Sequence, residues 1–146
     1  MYTSDKTALK NCIGHICSAA FLGFFGAVYE HYSHEVYSYY MIYAFAVPLL
    51  MGALPFGIIA LKGKTPERAF VNLWNSAVSA FAIGCVFRGV LEIYGTTNRL
   101  VFVYPAAGAI LALSALLSHE IKLHSEMFEK SGPDLSDSDR QGQLLQ

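Results

Sequence analysis

The strongest constraint on this chain is the spacing of its charges. Between Asp, Glu, Lys and Arg residues lie four uncharged runs, Asn11–Tyr29, Val36–Leu61, Ala69–Phe87 and Leu100–His119, of 19, 26, 19 and 20 residues. Crossing ~30 Å of hydrocarbon takes about 20 predominantly apolar helical residues. Lipid offers no partner to a bare peptide group, so such runs satisfy their own amides as helices. The expected fold class is therefore all-α: an integral membrane antiparallel four-helix bundle, with both termini on one side. The spans are expected at about 8–31, 36–61, 66–94 and 99–128, in one domain covering residues 1–130. Residues 131–146, rich in Asp, Ser and Gln, read as a flexible polar tail.

Composition supports the same solvent. Charged residues make up 14% of the chain, against roughly 25% in soluble domains. The net charge of −1 supplies no basic field for a nucleic acid. Cys12, Cys17 and Cys85 are too few and too scattered for a disulfide framework. The first run is longer than the apolar core of a secretory signal, and no A-x-A site follows it, so it reads as a span.

The punctuation between runs is that of helix ends. Gly63 suits the close of the second span; Thr65 suits a cap and Pro66 the first turn of the third. Gly95 suits a stop, with Thr97 or Asn98 as the next cap. Pro48 and Pro55 fall inside the second span and predict a kink or loosening there. Eight basic residues (Lys6, Lys10, Lys62, Lys64, Arg68, Lys122, Lys130, Arg140) share one side. That side is predicted to be the cytoplasm, with the N- and C-termini in it, in the cell membrane. Eight of nine tyrosines fall at the other end, where ring and hydroxyl suit the headgroup level.

The external turn, "YEHYSHEVYSYYM" at 29–41, holds the densest polar cluster. Glu30, His31, His34 and Glu35 stand there, with Arg88 and Glu92 at similar depth on the third span. Glu30 with His34, and His31 with Glu35, are four apart and within reach along a helix. Imidazoles and carboxylates at that spacing can hold a divalent metal, with His31 and His34 as its ligands, or carry protons near neutrality. The plainer reading is an ordinary wet turn. Arg88 and Glu92 are also four apart, in the weaker order for a helical ion pair.

Small residues predict three contact faces: His15, Ala19, Gly23 and Gly26 on the first span, Ser76, Ala80 and Gly84 on the third, and Pro105, Gly108, Ala112 and Ala115 on the fourth. Asn72, Asn75, Ser76 and Ser79 form a polar stripe on the third span, a candidate bundle lining. Polarity on two sides of one helix suggests a homo-oligomer. His15 and His119, at similar depth, are candidate axial haem ligands if the first and fourth spans pack together; otherwise they are interfacial histidines.

Catalytic signals fail. In "HEIKLH" the two histidines are five apart, about 140° round a helix, so the H-E-x-x-H geometry is missing. No nucleophile elbow, P-loop or dinucleotide fingerprint occurs. No enzyme activity is expected, and no cofactor is identified. The leading expectation is transport or permeation of a small cation or proton-linked solute through an oligomer. The alternative is a non-transporting membrane partner subunit or assembly factor, and after it a haem- or metal-binding membrane protein.

Overall fold

The computed structural model describes residues 5–33, 36–63 and 66–131, and these are helical with no strand among them. Helix α1 spans Asp5–Tyr32, α2 Tyr39–Ile42, α3 Leu54–Leu61, α4 Arg68–Ile93 and α5 Val103–Ser131. A π-helical segment, Pro48–Ala53, leads into α3, and a 3-10 turn, Arg99–Phe102, leads into α5. Three helical stretches, Thr7–Tyr32, Arg68–Ile93 and Arg99–Ile121, are long and apolar enough to cross a membrane. Their outward surfaces are greasy: Phe21 and Phe24 are 66% and 71% exposed. In water that exposure would be a liability; in hydrocarbon it is solvation.

The second run is not one rod. It breaks into α2, a turn at residues 43–45, the π segment and α3. The two prolines lie at the break. Pro48 opens the π segment and Pro55 stands in the first turn of α3. Neither has an N–H to give four residues back, so the regular ladder fails at both. Leu54 instead donates to Leu49, five residues back. The apolar helical piece left, Pro48–Leu61, is shorter than the other three spans.

Helix ends follow local chemistry. Gly63 and Gly95 adopt φ of 60° and 66°, the left-handed region that side chains disfavour. At Gly95 two bonds close α4: Thr96 N–H to Leu91 O and Gly95 N–H to Glu92 O, each 3.0 Å. Asn98 Oδ1 accepts from Leu100 N–H at 2.9 Å and starts the next turn. Pro66 lies outside α4, which begins at Arg68 after an extended Glu67; Thr65 is outside the described residues, as is the 132–146 part of the polar tail.

The helices form an open row. Helix α1 packs on the α2–π–α3 strip, that strip on α4, and α4 on α5; among the described residues the backbones of α1 and α5 make no close approach. Glycines bring the row together. The strip threads between Gly26 and Gly89 at Met41, where a Cβ on Gly89 would sit 2.9 Å from the Met41 amide nitrogen. On the other side, Gly84 meets Tyr104 and Gly108 meets the Phe81 ring. The small-residue faces of the first and fourth spans both pack: Ala19 and Gly26 are buried, as are Gly108 and Ala115. They pack against different partners rather than each other.

Candidate functional site

Two polar centres lie toward opposite ends of α4. The first is at the basic end and is built on three elements. Asn11 Nδ2 donates to the Thr7 carbonyl at 2.8 Å. That carbonyl can only accept, which fixes the Asn11 amide. Asn11 Oδ1 then accepts from Asn75 Nδ2 at 2.8 Å, so Asn75 Oδ1 faces His15 Nε2 at 2.9 Å as an acceptor. His15 must carry its proton on Nε2. A relay of known polarity thus joins α1 to α4 across the π segment. The His15 ring stacks on Phe56, 5.6 Å between centroids at 9°, and lies directly over Gly52.

The π segment is bound into the same centre. Pro55 cannot serve the Met51 carbonyl four residues before it, and Trp74 Nε1 donates to that oxygen at 2.7 Å. The Cys12 thiol reaches Ala53 O at 3.3 Å. Gly57 leaves room for that sulfur, which lies 3.6 Å from where a Cβ would stand. Helix neighbours on both sides therefore satisfy carbonyls of the irregular strip, the condition for irregular backbone at membrane depth.

The second centre lies at the tyrosine-rich end. Arg88 Nε is 3.2 Å from Glu92 Oε1, the i,i+4 pair expected from spacing. Glu92 Oε2 accepts from Ser38 Oγ at 2.8 Å. Ser38 is 1% exposed, whereas the Arg88 and Glu92 side chains are 35% and 34% exposed. The Arg88 guanidinium carbon lies 5.1 Å from the Tyr40 ring centre and 5.9 Å from that of Phe102. Two ring faces and a carboxylate fix the cation, which keeps its terminal N–H groups free of any other described acceptor.

Other candidate residues are placed as follows. His34 and Glu35 lie outside the described residues. His31 is exposed and meets Tyr32 edge-on at 5.4 Å. Glu30 Oε1 is buried without a hydrogen-bond partner among the described residues. No group of three or more His, Cys, Asp or Glu forms among those residues. Asn72, Ser76 and Ser79 are exposed on the flank of α4, and only Asn75 of that stripe turns inward, to α1. His15 and His119 pack on different rings: His15 stacks on Phe56, and His119 packs against Phe70, 5.8 Å between rings, on a helix whose backbone makes no close approach to α1 among the described residues. The open row, rather than a closed ring, is the reason.

Three participants were not foreseen from sequence: Asn11, Ser38 and the Trp74 indole as a donor. Asn11 and His15 stand four apart on one face, which was a readable signal. Ser38 had none, because its burial depends on how the strip packs. The described residues are all-helical, with three helices long and apolar enough to cross a membrane. Comparison with family models, curated proteins and solved structures returns no match.

Proposed function

We propose that the chain crosses the cell membrane four times, both termini cytoplasmic, and that an oligomer of it passes a small cation or proton-linked solute. The broken second run crosses as a kinked segment, its irregular backbone shielded by α1 and α4. The observation that carries the reading is the stripe Asn72, Ser76 and Ser79, which faces outward from a helix of membrane-crossing length. Ser79 Oγ folds back to the Asn75 carbonyl at 2.8 Å, which lowers its cost in lipid. Among the described residues Asn72 and Ser76 make no such bond. A second copy laid against α4 would cover them and create a polar seam.

The test is flux in proteoliposomes together with cross-linking through Ser76→Cys in a background lacking the native cysteines. Self-cross-linking and a cation or proton flux lost in Asn72→Leu/Ser76→Leu protein are expected. Absence of flux defeats the transport reading. The same stripe favours a second reading, a non-transporting partner subunit, in which the seam is closed by another membrane protein's helix. A stoichiometric heterologous partner without self-cross-linking would establish it.

A further inference from the structure

We infer that the tyrosine-rich end carries a binding site for one anionic phospholipid, whose phosphate sits at Arg88 and Arg99 and whose acyl chain enters the groove between α4 and α5. This inference stands apart from the transport reading. Two cavities meet at Arg88, Val101 and Phe102. One, of about 410 Å³, is walled by Thr96, Thr97, Asn98 and Arg99 with Glu92 beside them. The other, of about 250 Å³, runs between Tyr40, Phe81, Cys85, Phe102 and Pro105 and is almost wholly apolar. A polar chamber opening into an apolar one through a guanidinium has the shape of an amphiphile's requirements.

Charge selects the headgroup. Two guanidinium groups face one carboxylate, and Arg99 has no carboxylate partner among the described residues. Arg88 is already oriented by Glu92, Tyr40 and Phe102, so its free terminal N–H groups can meet two phosphate oxygens without reordering a long side chain. Thr96 and Thr97 add hydroxyl donors in the same chamber. Depth fits as well. Arg88 lies five residues before the end of α4, about 8 Å along the axis, and Phe81 about 10 Å further in. The cation is at headgroup level while the groove extends into hydrocarbon.

The full chain, stripped of lipid in detergent, is titrated with dioleoyl phosphatidylglycerol and dioleoyl phosphatidylcholine and read by native mass spectrometry. One phosphatidylglycerol should bind in clear preference, and Arg88→Gln and Arg99→Gln should each reduce that preference about fivefold. Arg99 is in an exposed turn, so its variant tests the charge without disturbing packing. Unmutated protein gives a second readout. Alkylation of Cys85 by N-ethylmaleimide, resolved by peptide mass, should slow with phosphatidylglycerol and not with glycerol phosphate. Equal retention of both lipids, a preference surviving both substitutions, or full protection of Cys85 by glycerol phosphate would overturn the inference.

Discussion

The centre at the basic end and the centre at the tyrosine-rich end solve different problems with similar atom counts. The Asn11–Asn75–His15 relay is made of two amides and an imidazole that bond in sequence. It begins on a backbone carbonyl and ends on a ring packed against Phe56. The Ser38–Glu92–Arg88 centre is made of charges, one-third exposed, with donors left over. The first runs from one helix to another and holds an irregular strip between them. The second is oriented but unfinished, which is the condition of a site that receives something.

The largest expected effect concerns the strip that both centres hold. Gly89→Leu would drive a side chain into the Met41 backbone, which cannot step aside as a side-chain end can. A loss of about 3 kcal/mol is expected, read as a lowered unfolding midpoint in detergent. Gly57→Ala is the control, because its new Cβ meets only the Cys12 sulfur at ordinary contact distance. It should be neutral or slightly stabilising, since alanine favours helix over glycine by about 1 kcal/mol. If both cost the same, the close approach at Met41 is not what locates the strip.

Next in size is Asn75→Leu. It strands Asn11 Oδ1 and the His15 Nε2 proton together. Stranded polar groups cost about 1–3 kcal/mol each in soluble cores. Interhelical bonds in membranes average only about 0.6 kcal/mol, because the unfolded chain also finds partners. A loss of about 2 kcal/mol follows, with His15→Phe adding little in the same background. Full additivity of the two substitutions would show that the relay is not one unit.

These two sites also show what the sequence could and could not disclose. Uncharged runs mark the apolar lengths directly, because the solvent acts on every residue of a span. Gly63 and Gly95 are legible for a local reason, a backbone angle that few residues tolerate. Partner choice is not local. Small residues on the first and fourth spans announce close contacts, yet either could have met the other; the row that separates them arises from how α4 divides its surface. The polar stripe on α4 was visible, but its split between inward Asn75 and outward Asn72, Ser76 and Ser79 depends on where α1 lies. The prolines foretold a loosened second run. That an indole on the next helix would serve the freed carbonyl required the neighbour's position.

That indole gives the third test. Trp74→Phe should cost about 1 kcal/mol, the net worth of the bond to Met51 O. Pro55→Ala restores an N–H that can reach the same oxygen. In the Pro55→Ala background the Trp74→Phe cost should shrink by half or more, measured as a double-mutant cycle. An unchanged cost would mean that the indole acts through its stacking on Phe70, 5.6 Å away, and not through the carbonyl.

The smallest effect separates the two centres most clearly. Ser38→Ala removes a hydroxyl that is nearly inaccessible, yet its partner Glu92 is one-third exposed and can take water in its place. Stability should fall by about 0.5 kcal/mol, far less than for Asn75→Leu, although each change deletes a side chain that hydrogen-bonds α4 to a neighbouring element, the strip for Ser38 and α1 for Asn75. What should change instead is the aim of Arg88. Without Ser38 on its second oxygen, Glu92 is free to rotate, and the guanidinium loses one of its three constraints. A Ser38→Ala protein with a large stability loss and undiminished selectivity for phosphatidylglycerol would show that this end is a structural clamp like the other, and the contrast between them would vanish.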